Sequence, residues 1–292
     1  MQPGERRSMS DVKPWDTVAI LGVGLIGGSI GLGLRQRGLA DRVVGIGRNP
    51  QRLEIARQLG AVTSITSQLE DGVCRADLVV ICTPVERIVG QVRQVAAACP
   101  PGALITDAGS TKGSICRALR EGTGGAGVFI GSHPMAGSEK SGVRHARANL
   151  FENRVAIITP WEDSDGSAVQ RLGEFWSSLG SRVVRLTPEE HDAAVASISH
   201  VPHLVAAALA AATPSEHLEV AAGGWRDTTR VAGANPVLWQ QILGQNRLHV
   251  LQSLDKFEKV LSAFRHALEG GDFVQLEQLL QAGKQNRDAL GG

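Results

Sequence analysis

The sequence predicts an α/β chain, with a doubly wound and mostly parallel sheet followed by an all-helical segment. Three observations predict it. Short apolar runs alternate with helical patterns from residue 17 to about 187. A glycine-rich turn, "ILGVGLIGGS", stands between the first apolar run and the first helical pattern. After residue 187 the strand-like runs stop and only helical periodicities remain.

Each element has its own signal. "TVAILGVG" reads as a buried strand and "GGSIGLGLRQRG" as the helix after it. "DRVVGIG" is a second strand, and "PQRLEIARQLG" a helix ending at Gly60. "ADLVVICTP", "GALITDAGS", "VFIGSH", "VAIITP" and "RVVRLT" are further strands. Strands that are apolar throughout and separated by helices form parallel sheets covered on both faces. Val169, Leu172, Trp176 and Leu179 recur at helical spacing and read as core. In "TPEEHD" Thr187 can cap a helix, Pro188 suits its first turn, and Glu190 completes a capping box. "AAVASISHVPHLVAAALAAA" is apolar nearly all round, which predicts a buried helix. Asn235-Pro236 opens a long helical pattern through Leu238, Ile242, Leu248 and Leu251, and "FVQLEQLLQAGKQNRDAL" closes the chain. These patterns divide it into a loosely ordered tail (1–16), a dinucleotide-binding part (17–187) and a helical part (188–292). The last is thin for an independent domain, so a second copy is expected to complete its apolar helices as a homodimer.

Composition narrows the classes. The 292 residues carry a formal net charge of +1, without the basic excess of a nucleic-acid binder. No window of ~18 uninterrupted apolar residues predicts a membrane span, and the first residues lack the apolar core of a signal peptide. Cys74, Cys82, Cys99 and Cys116 have no metal spacing and read as reduced, cytoplasmic thiols. There is no tyrosine, which excludes a tyrosine general acid.

Gly22, Gly24 and Gly27 form G-x-G-x-x-G in the context a dinucleotide site requires, after a strand and opening a helix. Gly22 permits the tight turn, and Gly24 lets the backbone approach a pyrophosphate. The amides of Leu25, Ile26 and Gly27 then face the negative charge. This makes the sheet Rossmann-type. An NAD site usually ends its second strand on a carboxylate for the ribose hydroxyls; here stand Gly47, Arg48 and Asn49. Losing the carboxylate and gaining a guanidinium favours NADP. The alternative has Arg48 stacking on adenine in a site that takes either cofactor.

A dehydrogenase acting on an alcohol needs a base. His133 follows the strand "VFI", where α/β proteins place sites at strand carboxyl ends. Ser110 is similarly placed and could hydrogen-bond the imidazole; a histidine that only buttresses the loop is the other reading. His200 and His203 flank Pro202 without a carboxylate to complete a metal set, so no metal is expected. Arg226, Asp227 and Arg230 in "GGWRDTTR" suit carboxylate binding or are ordinary solvated charge.

Together "GVGLIGGS", "CTP", "DAGSTKG", "GSHPMAGSEKSG", "SHVPH", "GGWRDTTR" and "NPVLW", in that order, resemble the prephenate/arogenate dehydrogenase family of tyrosine biosynthesis. The resemblance implies oxidative decarboxylation of prephenate to 4-hydroxyphenylpyruvate, or of arogenate to tyrosine. It implies that His133 is the catalytic histidine, supported by Ser110, and that Thr83 and Pro84 join the cofactor site. Arg230 would bind a substrate carboxylate, and Ser138, Glu139, His203, Asp227 and Trp239 would line the pocket. It also implies a helical dimerisation domain after the nucleotide-binding one. The chain departs from the family at Gly47, where many members are acidic, and at Arg226, where relatives often have lysine. Its length after the helical part leads to the expectation of no fused regulatory or mutase domain. Two rivals stay open. One is another Rossmann-plus-helices reductase, such as a β-hydroxyacid dehydrogenase or pyrroline carboxylate reductase. The other is a dinucleotide-sensing dimer without catalysis, which would have no need of His133 beside Arg230.

Overall fold

In the computed structural model, residues 15–137 and 140–289 are described. The first half is built on a six-stranded parallel sheet of order β3-β2-β1-β4-β5-β6. Its strands are β1 (Trp15–Leu21), β2 (Ala40–Ile46), β3 (Ser64–Thr66), β4 (Leu78–Ile81), β5 (Leu104–Asp107) and β6 (Val128–Phe129). The helices between them are α1 (Leu25–Gln36), α2 (Pro50–Gln58), α3 (Leu69–Val73), α4 (Val85–Ala98) and α5 (Gly113–Leu119). β1, β2, β4 and β5 are apolar along most of their length because helices cover both faces. The order reverses between β1 and β4, which opens the crevice where such sheets bind ligands. Residues 1–14 of the expected tail lie outside the described residues. Trp15 and Asp16, assigned to that tail from sequence, instead open β1, with Trp15 in register with Ala40.

The run "VFIGSHP" is not one strand but two. β6 ends at Phe129, and β7 (Gly131–Pro134) leaves the main sheet to pair antiparallel with β8 (Val155–Thr159). β8 pairs parallel with β9 (Arg182–Arg185), giving a second, three-stranded sheet covered by α6 (Gly166–Ser178). Trp176 of α6 is wholly buried against Phe151 and Phe175, with ring centroids 5.4 Å and 5.0 Å away. Its indole N–H donates to Ser132 Oγ at 3.0 Å. A buried indole needs such an acceptor, and this one sits next to His133. The core stripe read at Val169, Leu172, Trp176 and Leu179 is therefore also the backing of β7.

From Pro188 every described element is helical. α7 (Pro188–Val195) opens on the expected capping box: the Glu190 amide donates to Thr187 Oγ1, and Glu190 accepts from the Thr187 amide. A π-helical turn, Ala196–His200, joins it to α8 (Val201–Ala212). α9 (Gly223–Thr229), α10 (Pro236–Gln245), α11 (Arg247–Glu269) and α12 (Phe273–Ala289) follow. Two expectations change here. The apolar helix over Pro188–Ala212 is not buried all round: Ile198 and Leu209 are exposed, so one face lacks a cover in the single chain. An 18-residue window within this 25-residue stretch has mean hydropathy 1.5 and by length and composition could also cross a membrane. Its inward face, however, holds His191, Asp192, His200 and His203, groups costly in a bilayer core. The second change is the pattern opened by Asn235-Pro236. It is two helices, broken at Asn246, whose buried side chain is needed elsewhere.

Candidate active site

The cofactor cradle lies at the β1–α1 turn. Gly22 has φ +96°, and a Cβ there would come within 2.8 Å of the Cys82 carbonyl oxygen, so only glycine fits. A Cβ on Gly27 would lie 2.3 Å from the Gly22 carbonyl oxygen, which holds α1 close to β1. Gly24 meets nothing within 4 Å, leaving open space where a pyrophosphate would approach. No side chain caps α1, so the amides of Leu25, Ile26 and Gly27 are left to a ligand. These features fit a dinucleotide. Across the crevice Pro84 stands at the start of α4, and the Thr83 hydroxyl donates to Gln91 Oε1. Arg48 is exposed at the end of β2, where an incoming ribose substituent can reach it, and Gly47 is half-buried against Leu53.

His133 lies on β7, in register with Ile157. The strand is fastened to β5 by the Ser132 amide to Asp107 Oδ1 (3.2 Å) and by the Ser132 hydroxyl to the Asp107 carbonyl (2.6 Å). Asp107 also pairs with the Lys112 ammonium, and both side chains are fully buried. Its Oδ2 accepts the Gly109 amide at 2.8 Å, which shapes the loop carrying Ser110. Ser110 is half-buried at the carboxyl end of β5. Among the described residues no hydrogen bond joins it to His133. The partner of His133 is instead His191 of α7, with Nδ1 and Nε2 2.9 Å apart. His191 Nδ1 lies 2.8 Å from Asp192 Oδ1. Asp192 in turn accepts the backbone amides of Lys112 (2.8 Å) and Gly113 (2.9 Å). One line of side chains thus runs from β7 through α7 to the start of α5.

The electrostatics follow. Burial, with the neighbouring His191, Lys112 and His200 reinforcing it, holds the His133 imidazole well below its ordinary 6.5. His133 is therefore neutral at working pH. Burial also lowers His191, against the pull of Asp192. For Asp192 burial works upward, but the His191 bond and the Lys112 and Gly113 amides outweigh it and lower the carboxyl. Burial pushes His200 down to about 4.

Behind this line Asn246 donates to the Asp192 carbonyl (2.7 Å) and lies 3.2 Å from His200 Nδ1. His203 stacks on Trp239, centroids 3.5 Å apart and rings 8° from parallel, and His200 meets the edge of the same indole. His203 Nδ1 is buried without a partner among the described residues. Asp227 and Arg230 are exposed, the arginine opening a 3-10 turn, Arg230–Gly233. Ser138 and Glu139 lie outside the described residues. Among those described, no group of three or more His, Cys, Asp or Glu is arranged to hold a metal ion. Sequence reasoning missed His191, Asp192, Asp107, Lys112 and Asn246. The available signals were "TPEEHD", read only as a cap, and the lysine inside "DAGSTKG".

A glycine cradle at a sheet reversal, together with a half-buried, neutral histidine bonded to a helical half, defines a Rossmann-type oxidoreductase of the two-part kind. Comparison with known proteins narrows this. Residues 30–185 match the family model "Prephenate dehydrogenase, nucleotide-binding domain", and residues 187–282 match "Prephenate dehydrogenase, dimerization domain". The chain belongs to the prephenate dehydrogenase family. It is 36% identical to the prephenate dehydrogenase of Bacillus subtilis, over 94% of this chain and 76% of that one. It is 31% identical to the cyclohexadienyl dehydrogenase of Zymomonas mobilis, over 88% and 90%. The crystal structure of the A. aeolicus prephenate dehydrogenase with hydroxyphenyl propionate and NAD+ superposes with a TM-score of 0.86 at 30% identity. That match covers 98% of this chain and 100% of that one.

Proposed function

We propose that this chain catalyses the NAD(P)-dependent oxidative decarboxylation of prephenate to 4-hydroxyphenylpyruvate, with His133 as the general base. The observation that carries the reading is the half-buried imidazole of His133 at the end of β7, hydrogen-bonded to His191 and held neutral by its surroundings, in a chain of the prephenate dehydrogenase family. His133 accepts the proton of the substrate's ring hydroxyl as the carbon–oxygen double bond forms. A nicotinamide dinucleotide, when bound in the glycine cradle, supplies the hydride acceptor. Loss of CO2 from the opposite ring carbon restores aromaticity and provides the driving force, so the protein mainly orients the partners and handles one proton. Ser110 joins the site from the loop after β5 without bonding His133, whose partner among the described residues is His191, and Thr83 and Pro84 flank the cofactor. Arg230 binds a substrate carboxylate. His203, stacked on Trp239, lines the pocket with Ser138, Glu139 and Asp227.

Division near residue 187 gives a cofactor half and a helical half, the latter joining a second copy in a homodimer. The exposed Arg48 beside Gly47 supports NADP over NAD. The four cysteines are free, and burial holds Cys82, Cys99 and Cys116 protonated, which suits a reducing cytoplasm. Arogenate is the second substrate reading, supported by the Zymomonas relative's name. The two substrates differ in a side-chain keto against amino group, which one hydrogen bond can discriminate. Steady-state rates with prephenate and arogenate, each with NAD and NADP, test the proposal. The expected result is turnover of prephenate with preference for NADP; no turnover of either substrate overturns it.

A further inference from the structure

We infer that His191 and Asp192 form a positioning pair that fixes the proton on Nδ1 of His133 and leaves Nε2 bare to act as the base. The inference rests on the reading of His133 as the base and adds two residues that the motifs did not assign.

Hydrogen-bond capacity along this line of side chains fixes the tautomers. Asp192 faces three N–H groups: the Lys112 and Gly113 amides and His191 Nδ1. A carboxyl group so placed is held ionised and can only accept. His191 Nδ1 must therefore carry a proton, so a neutral His191 has a bare Nε2. That nitrogen lies 2.9 Å from His133 Nδ1. With an acceptor on one side, His133 must donate, and its own proton is fixed on Nδ1. The lone pair is then on Nε2, facing away from the pair. Without His191 the imidazole is free to take the Nε2–H form, which offers a substrate hydroxyl a proton rather than a lone pair. The same logic holds for a serine–histidine–aspartate triad, where the carboxylate sets the tautomer and orientation of the histidine. Here a second imidazole stands between.

The pair also answers the charge formed in the reaction. When the substrate O–H bond breaks and the proton joins His133 Nε2, the ring becomes an imidazolium. The groups around it are His191, His200 and Lys112 on the unfavourable side, with Lys112 paired to Asp107. The ionised Asp192, reached through His191, is the compensating charge. α7 can hold this geometry because its first turn is fixed by the Thr187–Glu190 capping box. Asn246, bonded to the Asp192 carbonyl, holds it from behind.

The test has two arms. The first needs no variant: 15N-detected NMR of the histidine rings in the wild-type protein at pH 8. The expected spectrum gives His133 a protonated Nδ1 and a bare Nε2; a proton on Nε2 overturns the inference. The second arm compares His191→Phe and Asp192→Asn with wild type, each checked for an unchanged melting temperature. His191→Phe should lower kcat by about 10²–10⁴-fold, the usual worth of a correctly presented base. The Michaelis constants for substrate and cofactor should stay within a few-fold, and the acid limb of the pH–rate profile should shift. Asp192→Asn should act in the same direction, because an amide cannot accept from all three donors. If His133→Asn is inactive while both variants keep wild-type kcat and pH profile, the base stands and the positioning pair falls. If His133→Asn itself remains active, the base reading falls first, and the ring spectrum still decides the tautomer.

Discussion

The two halves of this molecule treat their apolar residues differently. In the first half the sheet and its helices bury nearly all of them; among the described residues Leu59 is the one exposed large hydrophobic there, against fourteen in the second half. Those fourteen include Val260, Leu261 and Leu268 on α11 and Phe273, Val274 and Leu280 on α12. A sheet with helices on both faces closes its own core. Long helices with little packed against them do not, and this is the part of the chain that matches the dimerization-domain model. The contrast extends to the site. The first half carries the cofactor cradle and His133; the second supplies His191, which bonds that histidine, and His200 beyond it. The first half is thus expected to govern chemistry and cofactor choice, and the second substrate binding and stability toward acid.

Substitutions can separate those roles. The largest effect is expected from His133→Asn, with turnover lower by about 10²–10⁴-fold, the usual worth of a general base. Substrate affinity should change little, because asparagine keeps a hydrogen-bonding group. Steady-state kinetics within threefold of wild type would remove His133 from its role. Next comes Arg230→Ala in the second half. It should raise the Michaelis constant for prephenate by roughly one to three orders of magnitude, as loss of a charge-assisted carboxylate contact does. The cofactor constant should hold, and lysine should rescue only in part. Equal damage to cofactor binding would erase the division of labour.

Acid should weaken the second half first. His191, His200 and His203 all titrate below their ordinary value because burial disfavours the charged form. The unfolded chain therefore takes up protons below 6.5 while the folded one resists. Stability is full above 6.5 and is lost as pH falls toward the folded values. For His200, lowered to about 4, the loss by pH 5 is ~2 kcal/mol. Hydrogen exchange at pH 5 and pH 7.5 should show α7 and α8 losing protection before the main sheet; uniform loss would contradict this. The smallest effect belongs to Gly47→Asp, expected to shift cofactor preference toward NAD by about tenfold, since a carboxylate repels a 2′-phosphate. A Cβ at 47 would meet Leu53 Cδ2 at 3.3 Å, a contact a leucine end can relieve. Specificity constants that already favour NAD in wild type would refute the premise.

How legible each half was in the sequence also differs, for physical reasons. The fold class could be read because buried parallel strands are apolar throughout and the glycine turn has a local geometry. Gly22, Gly24 and Gly27 stand as that turn requires. The split of "VFIGSHP" between two sheets could not, because both pieces have strand character and only tertiary pairing decides where each goes. The break at Asn246 is hidden for a similar reason: its side chain serves Asp192 and His200. His191 and Asp192 sit in a stretch whose local meaning is a helix start. Their partners, at residues 133 and 112–113, are far along the chain, and no local period encodes such a contact.

The proposed chemistry turns on a half-buried imidazole that is neutral at working pH and takes up the substrate proton. Its most direct test is the pH dependence of kcat/KM for prephenate, measured in wild type and in His133→Asn. Because kcat/KM reports the free enzyme and burial holds His133 below 6.5, the wild-type rate should rise with pH through a midpoint below 6.5 and then level off. That acid limb should be missing from His133→Asn. The same limb in both proteins, or a wild-type midpoint above 6.5, would contradict the account.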